Sequence, residues 1–237
     1  MPFLRDRLIV ALDVDSLEEA GPLVETLAVH VGGFKVGLQL LMAVGAPQAI
    51  EFVHKLGGRV FLDGKFNDIP NTVGAATKAV AKHGVRMFTV HASAGMEAMK
   101  AAVANKGQSL VIAVTVLTSL DDNESCRIFG VPSKMKVVQL AHDALEAGCD
   151  GIVCSPQELG YLQQHEELRR LRMITPGIRP AWAATGDQKR VMTPAEAIKA
   201  GATALVIGRP ITQPPKEIGT PFDAVRRISD EIATVLC

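Results

Sequence analysis

Four times along the chain a glycine that can end a helix runs straight into an apolar stretch: LGGRVFL at 56–62, HGVRMFT at 83–89, AGCDGIV at 147–153 and AGATALV at 200–206. The glycines are separated by near-whole multiples of roughly 30 residues, the length of one strand-plus-helix unit. Strands that alternate with helices at this period pair in parallel, with the helices covering the sheet from outside. About eight such units fit in 237 residues, enough to close the sheet on itself. The expected fold is therefore α/β, a single-domain (β/α)8 TIM barrel covering residues 1–237. A doubly wound open sheet is the alternative. It calls for a glycine-rich nucleotide fingerprint after the first strand, and LDVDS supplies none.

Local patterns place the elements. A first strand runs from Leu8 to Leu12, and Ser16 caps a helix from Leu17 to His30 with Glu18 and Glu19 in its first turn. GGFKVGLQLL reads as a short strand marked by Phe34 and Val36, with Lys35 inside it; a lysine in a buried strand is unexpected, so either it faces the mouth of a site or the strand is wrongly placed. A helix from Pro47 to Leu56 precedes the stretch Arg59 to Thr72, in which a strand, a charged rim and a helix starting at Pro70 follow one another. HGVRMFTVHASAG contains the next strand, and Ser109 to Leu117 is the strongest strand signal in the chain. Asp121 to Pro132 reads as a loop and Ser133 to Ala147 as an amphipathic helix. GCDGIVCSP, RMITPGIRP and GATALVIGRP hold the last three strands, and Phe222 to Leu236 the final helix.

In a barrel of this kind chemistry gathers at the C-terminal ends of the strands. Those ends carry Asp13, Lys35, Asp63 with Lys65, His91, Thr118, Ser155, Gly177 to Arg179, and Gly208 with Arg209. Acidic and basic members nearly alternate. Side chains alternate along an extended strand, so Asp63 and Lys65 point the same way, while Asp68 lies beyond the strand. The cluster is either a solvated ion pair at a strand end or a site where carboxylates orient a lysine to deliver a proton. VIGRP places a glycine that admits close approach beside an arginine whose fork suits phosphate, and TPGIRP is the loop after the seventh strand. A surface Arg-Pro turn is the plainer reading. Asp13, Asp63 and Asp68 could instead hold Mg²⁺, which Lys35 and Lys65 in the same mouth would repel. His91 reads as a structural histidine that could also line the pocket.

Composition removes several classes. Lys plus Arg and Asp plus Glu are 25 each, so the chain lacks the basic excess that nucleic-acid backbones require. Cys126, Cys149, Cys154 and Cys237 show no metal-ligand spacing and read as free thiols in a reducing compartment. No apolar run is long enough to span a bilayer and Met1 to Arg7 is no signal segment, so the expected location is cytoplasmic.

LDVD at the first strand, FKVG, FLDGKFNDIPNTV, TVLTS, TPGIRP followed by GDQKR, and VIGRPI together resemble the bacterial form of the orotidine 5'-monophosphate decarboxylase family, in order along the whole chain. The resemblance implies a cofactor-independent, metal-free carboxy-lyase acting on a nucleotide. It implies that Lys65 is the proton donor flanked by Asp63, that Lys35 bonds Asp63 and the ribose, and that Asp13 holds a ribose hydroxyl. Thr118 would contact the pyrimidine edge, and Arg179, Gln188, Gly208 and Arg209 the phosphate, under a lid at Ala181 to Gln188. Asp68 and Thr72 would enter the neighbouring subunit's site in a homodimer with shared active sites. Related barrels with the same D-x-K-x-x-D pattern, Mg²⁺-dependent sugar-phosphate decarboxylases and hexulose-phosphate synthases, are the alternative; they resemble enzymes with an acidic residue near the second strand, where this chain has Lys35. A regulatory nucleotide-binding barrel is a further one. QPPKEIGTPF after the last strand departs from the family pattern.

Overall fold

The structure, a computed structural model, describes residues 4–183 and 191–236. Its strands are β1 (Leu8–Ala11), β2 (Gly33–Val36), β3 (Val60–Phe66), β4 (Met87–His91), β5 (Leu110–Val114), β6 (Gly151–Val153), β7 (Arg172–Thr175) and β8 (Ala204–Ile207). Each pairs in parallel with the next, and β8 pairs with β1, so the sheet closes into the expected eight-stranded barrel. Around it lie α1 (Leu17–Leu27), α2 (Leu38–Val44), α3 (Ala46–Lys55), α4 (Pro70–Ala81), α5 (Met96–Asn105), α6 (Asp122–Phe129), α7 (Ser133–Glu146), α8 (Leu159–Leu162), α9 (Pro194–Lys199), α10 (Arg209–Thr212) and α11 (Pro221–Ala233).

Period-two alternation sorts the strand residues between two cores. Ile9, Ala11, Phe61, Met87, Ile112, Ile174, Ala204 and Val206 fill the barrel interior. Val10, Phe34, Val36, Leu62, Phe88 and Val90 point outward beneath the helices. Burial on both faces explains why these strands read as nearly unbroken apolar runs. The repeated glycines are helix ends: Gly57, Gly84, Gly148 and Gly201 all take positive φ, from 68° to 111°, where a side chain is strained.

Several boundaries differ from expectation. The stretch 121–132 is not all loop. Asp121 accepts from the Glu124 backbone at 2.9 Å while Glu124 accepts from the Asp121 backbone at 3.1 Å, a reciprocal cap that starts α6, and left-handed Gly130 ends it. The helix buries only Ser125, so it lacks the apolar stripe that would announce it. Leu38 and beyond, read with the second strand, form α2, because Gly37 ends the strand pairing and begins the helix. β5 stops at Val114: Thr115 turns its hydroxyl onto the Val153 carbonyl at 2.7 Å. The first helix ends at Leu27 rather than His30, and the last at Ala233 rather than Leu236.

As expected, Ser16 caps α1, its side chain accepting from the Glu19 backbone, and Pro70 stands in the first turn of α4. Among the described residues the cysteines are free; Cys149 and Cys154 are core, and burial, then the Asp150 charge, pushes the Cys149 thiol up to about 12. No described helix is long and apolar enough to cross a membrane. Cys237 lies outside the described residues, as does Gln188 with most of the expected lid; Ala181–Ala183 form a turn.

Candidate active site

The site begins with an irregularity in β3. Phe61 and Leu62 pair with Met87 and Phe88 in regular register, but the next pair is Phe66 with Val90. Four steps along β3 thus match two along β4, and Asp63, Gly64 and Lys65 bulge opposite Thr89. Lys65 has φ +50°, the one positive value outside glycine among the described residues. A bulky residue in this conformation costs about 1–3 kcal/mol and persists where its surroundings hold it. Here the Lys65 backbone N–H donates to Thr89 Oγ1 at 2.8 Å. Asp63 and Lys65 do face the same way, as expected, but through this bulge and not through simple strand alternation.

Four charges form a row across the mouth. Asp13 Oδ1 accepts from Lys35 Nζ at 2.9 Å; Lys35 Nζ lies 3.7 Å from Asp63 Oδ2; and Lys65 Nζ donates to the same Asp63 oxygen at 2.7 Å. Side-chain exposure falls from 54% at Asp13 to 12% at Asp63, so the inner pairings are the less screened by water. Gly37 makes room for the row, since a Cβ there would stand 2.6 Å from Lys35 Nζ. Lys35 occupies the space between the Asp13 and Asp63 carboxylates, where a shared cation would have to sit. The described group with metal-ligand geometry is His142, His165 and Glu167, on α7 and the segment leading into β7, apart from these charges.

Two joined cavities flank the row, sharing Lys35, Pro176 and Val206. One, of about 180 Å³, has apolar walls from Phe61, Val114, Val116, Leu117, Val153 and Ile174, with Lys35, Asp63, Lys65 and Thr118 on its polar side. An apolar cavity of roughly 150 Å³ accommodates benzene, so a six-membered ring fits. The other, of about 400 Å³, is lined by Asp13, Gln39, Gly177, Arg179, Gly208, Arg209, Thr212 and Gln213. Arg209 opens the short helix α10 directly after β8, the position where this barrel usually cradles phosphate.

The structure thus brings together Asp13, Lys35, Asp63, Lys65, Thr118, Arg179, Gly208 and Arg209. Asp68 and Thr72 are exposed and line neither cavity; Asp68 Oδ1 accepts from the Ile69 backbone at 2.7 Å. Ser155, on the strand-end list, is fully buried, and its N–H is held by Glu158 at 2.8 Å. Sequence reasoning missed Gln39 and Thr212, which sit on helices, and Gln213, which follows α10, rather than strand ends. It also missed Thr89, a β-branched strand residue whose place against Asp63 and Lys65 follows only from the pairing of β3 with β4.

His91 ends β4 beside the row. Burial first, then the Lys65 charge, hold its imidazole below the ordinary value of 6.5, with Asp63 pulling the other way to a lesser extent. A folded-state value below the unfolded one means that the unfolded chain binds the extra proton first, so this residue's contribution makes stability fall as pH drops through the ordinary imidazole range. The expected result is that His91→Gln loses less unfolding free energy than the parent between pH 7.5 and pH 5, measured by urea denaturation. Identical losses would show that His91 carries no such linkage.

Residues 6–219 match the model of the orotidine 5'-phosphate decarboxylase / HUMPS family. The chain is similar to proteins named orotidine 5'-phosphate decarboxylase from Heliobacterium modesticaldum, 45% identical over 97% of this chain and 96% of that protein, and from Syntrophomonas wolfei, 44% identical over 96% and 98%. It also superposes on a crystal structure of orotidine 5'-phosphate decarboxylase from Lactobacillus acidophilus with TM-score 0.79 and 34% identity, covering 95% of this chain and 98% of that one. Matches of this extent and identity, on a barrel whose mouth carries this charge row, place the chain in the orotidine 5'-phosphate decarboxylase / HUMPS family.

Proposed function

We propose that this chain decarboxylates orotidine 5'-monophosphate to UMP, the last step of de novo pyrimidine synthesis, with Lys65 protonating the carbon left behind. The observation that carries the reading is the placement of the Asp13–Lys35–Asp63–Lys65 row between a ring-sized apolar cavity and a polar cavity ending at Arg209. The names of the relatives agree with it.

The chemistry accounts for the charges. When the bond from C6 to the carboxylate breaks, CO₂ departs and the electron pair stays on C6, in an sp² orbital that no neighbouring carbonyl delocalises. A fixed cation next to that carbon, in a site shielded from water, is the stabilisation available. Lys65 supplies the charge and then a proton from Nζ, and the resulting amine regains its proton from solvent. Asp63 fixes the direction of the ammonium before substrate arrives, and the Asp63 charge close to the substrate carboxylate also favours its loss.

Lys35 and Asp13 take the ribose hydroxyls, Thr118 the pyrimidine edge, and Arg179, Arg209 and the Gly208 backbone the phosphate, with Gln188 contributing from the segment between Ala183 and Val191. Phosphate binding far from C6 supplies energy for closing the site around the reacting carbon. No cofactor takes part in these steps. The Mg²⁺-dependent sugar-phosphate reading fits less well, because Lys35 stands between the carboxylates such an ion would use.

Asp68 and Thr72 complete the site of a second copy of the chain in a cytoplasmic homodimer. Their exposure at the rim, outside their own cavity, with Ile69 between them 66% exposed, supports the assignment. On this reading Lys65→Ala abolishes orotidylate turnover, followed by the loss of its ultraviolet absorbance in excess chelator, and leaves the thermal unfolding cooperative. Near-parental turnover by that variant would remove Lys65 from the mechanism. Mixing Lys65→Ala with Asp68→Ala chains is expected to restore about a quarter of parental activity, since half the dimers are mixed and each of those holds one intact site of two. No recovery after demonstrated subunit exchange would refute the shared site.

A further inference from the structure

The Thr89 hydroxyl sits where the two ends of Lys65 meet. Thr89 is fully buried on the barrel-facing side of β4 and lines neither cavity, so it does not touch substrate. Its single proton is donated to Asp63 Oδ1 at 3.1 Å, and its oxygen accepts the Lys65 backbone N–H at 2.8 Å. The other Asp63 oxygen accepts from Lys65 Nζ at 2.7 Å. A closed loop results, running from the Lys65 amide through Thr89 and Asp63 to the Lys65 ammonium.

We infer that Thr89 is a positioning residue for the decarboxylation, one that grips Lys65 by its backbone and, through Asp63, by its ammonium, so that the cation is aimed before substrate binds. The inference rests on the decarboxylase reading of the same site. Two features carry it. The carboxylate of Asp63 has one oxygen held by Thr89 and the other by lysine, which fixes the plane of the group as well as its place. The bulge that turns Lys65 into the mouth holds its φ at +50°, and the Thr89 oxygen receives the N–H of that residue. A hydroxyl is needed for both contacts. A β-branched residue chosen only to fill a strand would serve equally well as valine.

Thr89→Val keeps that shape and removes the hydroxyl, whereas Thr89→Ser keeps the hydroxyl and removes a methyl. The valine variant is expected to lose roughly 100-fold in kcat, the scale of a small misplacement at a reacting centre. KM and the affinity for UMP should change little, because the cavity walls are untouched. The serine variant should retain most of the parental kcat. Parental kcat in the valine variant, or a serine variant as slow as valine, overturns the inference. So does a loss shared equally between kcat and UMP affinity, which is the mark of a general structural defect. If valine does not fold, Thr89→Ala takes its place under the same criteria.

Amide hydrogen exchange at Lys65 keeps this inference separable from the activity it rests on. Should the parent fail to turn over orotidylate, the decarboxylase reading falls while the grip on Lys65 is still decided: faster exchange in valine than in parent and serine supports it, and equal rates overturn it.

Discussion

The Asp63 carboxylate is the group on which the rest of the site depends. Its two oxygens serve three partners: Lys65 and Lys35 on one, Thr89 on the other. It is also the least exposed member of the charge row, so its interactions are less diluted by water than those of Asp13 at the rim. Deleting such a partner costs about 3–5 kcal/mol where the pair is buried, chiefly because the charges left behind are uncompensated. With Asp63 in place, two ammonium groups can share one small cavity, and each has a fixed direction.

The barrel makes this arrangement possible by bringing neighbouring strand ends to one rim. Asp13 follows β1, Lys35 belongs to β2, Asp63 and Lys65 to β3, and Thr89 to β4, so the row of charges traces consecutive strands. Below it the interior is filled by Ile9, Phe61, Met87 and Ile112, an apolar floor that keeps water from entering beneath the charges. The same strands that build the rigid scaffold therefore also set the spacing of the chemistry. The local exception is the β3 bulge, where regular pairing is given up to turn Lys65 into the mouth. Concentrating backbone strain at the proposed proton donor fits a structure that is over-determined around it.

Much of this could be read from the sequence. Alternating apolar strands and glycine-ended helices identified the barrel, and the strand-end rule then selected Asp13, Lys35, Asp63, Lys65 and Arg209 without further help. Three kinds of feature escaped. Thr89 looks like any β-branched strand residue, and its role is visible only once the opposite strand is known. The cap that starts α6 was present as Asp121 and Glu124, but the helix has no buried stripe to confirm it. The bulge was not read either, although Gly64 between Asp63 and Lys65 is the kind of strand glycine that often accompanies one. Asp68 and Thr72 form another case: the part proposed for them lies in a second copy of the chain, which the geometry of one copy does not contain.

The central claim is that Asp63 aims the Lys65 ammonium at a single carbon. A crystal structure with UMP bound tests it most directly. The account predicts the pyrimidine in the apolar cavity, the phosphate against Arg209, and Lys65 Nζ facing C6 at about 3–3.5 Å, the separation of reacting atoms poised for transfer, with its Asp63 contact intact. A Lys65 side chain turned to solvent, or a pyrimidine whose C6 faces away from it, would contradict the account.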